Sequence, residues 1–118
     1  MTSIPQNLCV GAATTIRATL EAITKNGRQV ALVTDGDDRL LGIATDGDVR
    51  KALLRGASLE SAIGEHMNAT PVTGRAGLAR TDADELMRVR RIRHLPLVDG
   101  GGRLVDVVFL DDLFARPP

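Results

Sequence analysis

"ALVTDGDDRLLGIATDGDV", residues 31–49, returns as "LPLVDGGGRLVDVVFLDDL", residues 95–113, without a gap and at a constant offset of 64 positions. Asp35 falls on Asp99, Gly36 on Gly100, Arg39 on Arg103, Leu40 on Leu104 and Asp48 on Asp112. Each copy reads as an apolar run, an Asp-Gly turn, a second apolar run and an acidic corner. Asp-Gly between two apolar runs predicts a β-hairpin, because glycine tolerates positive φ and the aspartate side chain bonds the turn backbone. The corner Thr45-Asp46-Gly47-Asp48 then turns from strand directly into helix.

The flanks repeat as well. Ahead of the first hairpin, Ile16, Leu20 and Ile23 recur at helical spacing, and Asn26-Gly27 supplies a stop. Ahead of the second, Ala83, Leu86 and Met87 mark a shorter apolar face that ends near Arg91. After the first corner, Val49, Ala52 and Leu53 form the apolar side of a helix that Gly56 closes. A short helix is predicted from about Leu59 to Met67, and Asn68-Ala69-Thr70-Pro71 opens the second copy. Pro71 excludes Thr70 from a helix and favours an extended lead-in. The expected organisation is two repeats, residues 1–66 and 67–118, each an extended lead-in, helix, strand, strand and helix. The fold class is α/β (α+β) with pseudo-twofold symmetry, the two small sheets packed face to face. A single copy would leave its apolar sheet face poorly covered, whereas pairing buries it at about 25 cal/mol per Å2.

Composition narrows the function. The chain has 118 residues, 43% of them hydrophobic and 25% charged, as in globular proteins. Fifteen basic and fifteen acidic residues cancel, so no overall field draws the chain to nucleic acid or to an anionic membrane. Phe109 and Phe114 are the only aromatic residues of the Phe, Trp and Tyr kind, too few for a base-stacking surface. Cys9 stands alone and has no disulfide or zinc-ligand companion. The first residues show no signal-peptide pattern, and no apolar run approaches the roughly 20 residues of a membrane span. These features predict a soluble, cytoplasmic protein. The two histidines, His66 and His94, have neither a cysteine partner nor metal-ligand spacing, and no Ser-His-Asp arrangement is visible. Asp46 and Asp48 alone make a poor metal cage. The expectation is a non-catalytic chain without a metal or a required cofactor.

The stretches "VALVTDGDDRLL", "GIATDGDVRKAL", "MNATPVT" and "IRHLPLVDGGGRLVDVVFLDDL" resemble a tandem pair of cystathionine-β-synthase (CBS) domains, a Bateman module, over roughly residues 4–114. The family's strand-corner motif is Gly, two residues, Ser or Thr, two residues, Asp. Gly42 to Asp48 fits it in full. The flavour of the pair is similar to those beside sugar-phosphate nucleotidyltransferase and sugar-phosphate isomerase domains, and "ALLRGASL" with the terminal "LDDLF" points to the nucleotidyltransferase.

The resemblance implies a regulatory module that binds an adenine nucleotide or adenosyl ligand in the cleft between repeats. AMP, ADP, ATP and S-adenosylmethionine are the candidates. Thr45 would bond a phosphate and Asp48 the ribose diol, with Asp46 beside them. Val30, Ala31 and Leu8 would flank the adenine. A helix amino terminus also attracts phosphate on its own, while a plain helix cap is the competing reading of Asp46 and Asp48. For Val30 and Ala31 the competing reading is ordinary core.

The second copy departs from the motif, with Asp106 in place of Gly and Phe109 in place of Ser or Thr, although Asp112 remains. Its cleft, formed by Asp112, Phe109, Leu95 and Val72, is expected to be closed to phosphate by the Phe109 ring and the Asp106 charge. Arg88, Arg90, Arg91, Arg93 and His94 read as a solvated helix end, from which one arginine could reach a ligand phosphate. The partners implied are a second copy in a homodimer, a small nucleotide and an attached or partner nucleotidyltransferase domain. Neither nucleic acid nor membrane is expected. The alternative is a ligand-free structural dimerisation module.

Overall fold

The computed structural model describes Ile4 and residues 7–114. The outer ends of both predicted repeats, including residues 1–3, 5 and 6 of the stretch read for a signal, lie outside the described residues. Among the described residues the chain forms two compact units, residues 7–71 and residues 72–114, with Ile4 belonging to the second.

The first unit runs β1 (Cys9–Val10), α1 (Ile16–Asn26), β2 (Val30–Thr34), β3 (Leu40–Thr45) and α2 (Asp46–Leu54). Its sheet has the order β1-β2-β3, with β1 parallel and β3 antiparallel to the central strand. The second unit repeats this as β4 (Gly74–Arg75), α3 (Arg80–Arg90), β5 (His94–Val98), β6 (Leu104–Phe109) and α4 (Leu110–Phe114), with sheet order β4-β5-β6. Helices α1 and α3, and both hairpins, keep the 64-residue offset. Even the irregularity in the strand pairing recurs, at Val33/Thr34 and at Leu97/Val98.

The duplicated Asp-Gly turns share one mechanism. Asp35 Oδ1 accepts from the amides of Asp37 and Arg39 at 2.9 Å each, and Asp99 Oδ1 accepts from Gly101 and Arg103 at 2.9 and 3.0 Å. The positive φ falls not on the glycine after the aspartate but two residues later, on Asp38 (64°) and Gly102 (83°). The loop is therefore a tight turn followed by a left-handed residue, the three-residue hairpin form. The aspartate, rather than Gly36 or Gly100, carries the signal.

Core positions follow the sequence pattern. Ile16, Val33, Ala44, Val49, Ala52 and Ile63 form one buried cluster, and Ala83, Met87, Leu95 and Leu97 another. Pro96 lies buried in the middle strand of the second sheet, where a missing N–H is usually costly. Its counterpart Leu32 donates to Leu8 O at 2.8 Å, but β4 pairs only with Leu97 and Val98, so the proline sits one step beyond the ladder.

Helix α1 is capped at both ends: Thr15 Oγ1 accepts from Ala18 N at 3.0 Å, and Gly27 closes the helix at φ 68°. Helix α3 has Ala79 and Arg91 at those positions, and Arg91 adopts φ 55°. A left-handed conformation costs a residue with a Cβ about 1 kcal/mol relative to glycine. Arg91→Gly is therefore expected to stabilise the chain by about 0.5–1 kcal/mol, read as a higher urea midpoint at unchanged slope.

The helix predicted from Leu59 to Met67 is instead a single 3-10 turn, Ile63–Glu65. Its backbone groups are engaged by residues 12–17. Leu59 O and Ser61 O accept from Arg17 N and Ile16 N, while Ile63 N and Gly64 N donate to Thr14 O and Ala12 O. Met67 and Asn68, assigned from sequence to the second repeat, lie against the first. Ile43 and Asn68 exchange two backbone hydrogen bonds, 3.0 and 2.8 Å. Among the described residues no helix is long and apolar enough to cross a membrane.

Candidate functional site

Strand β3 delivers Thr45 to the start of α2, and the three-residue spacing brings Asp48 back over it. Thr45 Oγ1 accepts from Asp48 N at 3.2 Å, and Asp48 Oδ2 accepts from Thr45 N at 3.0 Å: a reciprocal capping box. The Thr45 hydroxyl also donates to Asp48 Oδ2, at 3.0 Å. Both residues are half-buried, while Asp46 is exposed. Asp48 Oδ1 takes no bond from the described residues. The corner is thus a true helix cap that still presents one open carboxylate oxygen.

The other predicted members of this site lie in the interior. Leu8, Val30 and Ala31 have no exposed surface. The carbonyls of Leu8 and Val30 are occupied by Leu32 N and by Asn26 Nδ2. The accessible set brought together is Thr45, Asp46 and Asp48.

Gly42, the first residue of the corner motif, has a packing reason. A Cβ there would lie 2.5 Å from Asn68 O and 2.7 Å from Met67 Sδ. The glycine lets the returning chain cross β3 and bond the Ile43 amide. At the matching place in the second repeat, Val107 N is bonded by the side chain of its own neighbour, Asp106 Oδ1, at 2.8 Å. Asp106 thus has a backbone partner, a role the sequence reading had not given it.

The remaining second-repeat residues are dispersed in their exposure. Leu95 is fully buried, Phe109 nearly so, Val72 half-buried and Asp112 exposed. The Phe109 ring stands edge-on to His94 with centroids 6.1 Å apart. Lacking a hydroxyl, Phe109 cannot reproduce the threonine cap. Asp112 O accepts from Arg80 Nη2 at 3.3 Å. Two members of the basic run are tied down locally: Arg88 pairs with Asp84 at 2.9 Å and Arg93 with Asp111 at 2.6 Å. Such exposed pairs contribute little to stability.

Sequence reasoning missed a second feature beside Asp48. Lys51 and Ala52 of α2 and Arg55, its C-cap, line a cleft of about 300 Å3 beside Asp48, together with Glu65, His66, Met67 and Asn68. The helical half was legible as the spacing 48, 51, 52, 55; the other half depends on where the returning chain lies.

Among the described residues no three His, Cys, Asp or Glu side chains gather as a metal site. Cys9 is exposed, and its thiol pKa is pushed up by desolvation and, secondarily, by the negative charge of Asp38. That makes it a poorer nucleophile.

Two copies of one small α+β unit, one with an intact polar corner and one altered, define an internally duplicated module. The chain belongs to the CBS domain family, whose pattern it matches twice, over residues 1–55 and 63–117. CBS domains are regulatory modules and not catalytic ones. The chain is 31% identical to arabinose 5-phosphate isomerase GutQ of Salmonella typhi over 112 residues, 95% of this chain and 34% of that protein. It is 33% identical to arabinose 5-phosphate isomerase KdsD of Pseudomonas aeruginosa over 101 residues, 85% of this chain and 31% of that one. The chain therefore spans about a third of the length of these relatives.

These relatives correct the leaning towards a nucleotidyltransferase: the similar proteins are sugar-phosphate isomerases. Among solved structures, CBS domain protein PAE2072 from Pyrobaculum aerophilum, complexed with AMP, superposes with TM-score 0.80 and 28% identity, covering 92% of this chain and 85% of that one. The cytosolic domain of the Mg2+ channel MgtE, in complex with ATP, gives TM-score 0.75 and 25% identity, covering 90% and 43%.

Proposed function

We propose that this CBS pair is the sensing module of a sugar-phosphate isomerase and binds an adenine nucleotide or adenosyl ligand at the Thr45–Asp48 corner. The observation that carries this reading is the state of Asp48. Its Oδ2 is fixed by two bonds from Thr45, which orients the carboxylate, while Oδ1 is left to accept a ligand hydroxyl. Charge-assisted acceptance of a ribose hydroxyl is the chemistry this arrangement offers. The AMP and ATP complexes of similar proteins support the choice of ligand. Regulation then follows from differential affinity: a ligand that prefers one arrangement of the repeats biases whatever domain reads it.

The second repeat lacks the threonine hydroxyl at Phe109, and its Asp106 is engaged with Val107. Titration calorimetry with AMP, ADP, ATP and S-adenosylmethionine should therefore give about one site per chain for the ligand that binds. Two equal sites, or heat from none of the four, would refute the reading.

The module also works as a homodimer in this proposal. The sequence predicts that α1 and α3 need covering over residues 16–23 and 86–89; Ile16 and Ile23 are buried within their own unit, whereas Val89 is exposed. Among the described residues the most exposed large apolar side chains are Leu54 and Val89, 81% and 71% exposed, followed by Leu41. Light scattering should report twice the 12.6 kDa of one chain at micromolar concentration; a steady monomer mass would exclude the dimer.

A further inference from the structure

We infer that the homodimer pairs unlike faces: the outer strip of α2 in one copy packs against the outer strip of α3 in the other, and the twofold axis makes this contact twice. The inference rests on the proposed dimer and adds to it the two surfaces that meet. Three observations carry it.

First, each helix leaves one strip uncovered. Helix α2 turns Val49 and Ala52 into the core, and α3 turns Ala83 and Met87. On the outer side, Gly47, Arg50, Lys51 and Leu54 follow one another at the one-face helical spacing of three and four residues. Asp82, Glu85, Leu86 and Val89 do the same on α3. Leu54 and Val89, the most exposed large apolar side chains among the described residues, each end their strip.

Second, the strips are opposite in sign at their centres. Arg50 and Lys51 are exposed cations, and Asp82 and Glu85 are exposed carboxylates. Among the described residues none of these four side chains has an ion pair or a hydrogen bond. The neighbouring charges have other engagements or other places. Asp48 is turned into the cap at Thr45, and Asp84 pairs with Arg88. Asp46 precedes the α2 strip, and Arg90 follows the α3 strip.

Third, charge excludes self-pairing. A twofold axis through either strip alone would set Arg50 and Lys51 against their own copies, or Asp82 and Glu85 against theirs. Like charges face to face across an interface repel. Crossing the strips sets cations against carboxylates and covers Leu54 and Val89 in the same contact. The charged residues then fix which faces meet, while the apolar ends supply burial.

The test uses two charge-reversed forms of the full chain, Arg50→Glu/Lys51→Glu and Asp82→Lys/Glu85→Lys. All four side chains are exposed, and circular dichroism with a melting curve verifies that each form is folded. Sedimentation equilibrium of either form alone should give a dimer dissociation constant at least about 10-fold above that of the parent chain, because about four exposed ion pairs become repulsions. An equimolar mixture should recover the parent value to within about three-fold. In the mixed dimer one contact keeps its original charges and the other has both signs reversed. A second measurement needs no variant and decides the matter if either form fails to fold. The parent dimer should weaken by about three- to ten-fold between about 0.05 and 0.5 M NaCl, as salt screens the pairs.

Charge-reversed forms that dimerise like the parent overturn these faces and leave the dimer standing. A mixture that stays monomeric does the same, because dissociation without mutual rescue means that each strip meets some other surface. So does a parent dimer that salt leaves unchanged or tightens. A parent chain that is monomeric throughout overturns the dimer and the pairing together.

Discussion

Gly42→Ala is expected to lower the melting temperature by roughly 10–15 °C, the equivalent of about 3 kcal/mol for a domain of this size. The new methyl group would meet Asn68 O at 2.5 Å and Met67 Sδ at 2.7 Å. The thioether can swing aside, but the carbonyl cannot move without breaking the paired bonds between Ile43 and Asn68. Trimming the side chain with Met67→Ala should therefore restore only part of the loss. The control is the matching position in the second repeat. Asp106→Gly removes a single bond to Val107 N and should cost only about 1 kcal/mol. Calorimetric melting of the three variants decides it. A harmless Gly42→Ala would mean that the returning chain does not cross β3 as described.

Asp48→Ala should lose both binding and stability, and the two losses are separable. Removing a charge-assisted acceptor of a ligand hydroxyl should weaken nucleotide affinity by roughly 1.5–3 kcal/mol, about 10- to 150-fold. Breaking the capping box should cost a further ~1 kcal/mol of fold stability. Affinity is to be measured well below the melting transition, so that unfolding does not pass for lost binding. Asp48→Asn keeps the shape and a cap acceptor, and should recover most of the stability while leaving affinity impaired. Asp112→Ala, on the short α4 where Phe109 supplies no hydroxyl, should leave affinity nearly unchanged. If Asp112→Ala abolished binding while Asp48→Ala bound normally, the ligand would belong to the second repeat.

Both predictions concern one heptapeptide, Gly42 to Asp48, whose residues have different kinds of cause. Thr45 and Asp48 act on each other across three positions of one chain, a relation that sequence spacing displays directly. Gly42 answers to residues 67 and 68, which are distant in sequence and adjacent only in space. The motif reads as one unit, but its glycine serves packing and its polar pair serves capping. In the proposed reading the same pair serves the ligand.

What the sequence by itself determined was everything governed by local periodicity and by the duplication. The hairpins at Asp35 and Asp99, helices α1 and α3 at equal offset, the stop at Gly27 and the strand-to-helix corner at residues 45–48 all follow from interactions spanning a few residues, although the N-cap is Thr45 with Asp48 and not Asp46. Tertiary structure decided the rest, because long-range partners leave no periodic trace. It made residues 59–67 a 3-10 turn by engaging their backbone with residues 12–17. It placed Leu8, Val30 and Ala31 in the interior, where an apolar run alone cannot distinguish core from pocket wall. It set His66 and Asn68 opposite Lys51 and Arg55, so that scattered polar residues became one cleft beside Asp48. A side chain's neighbours across a cleft are fixed by the path of the backbone, and that path is settled by the burial and hydrogen bonding of the whole unit.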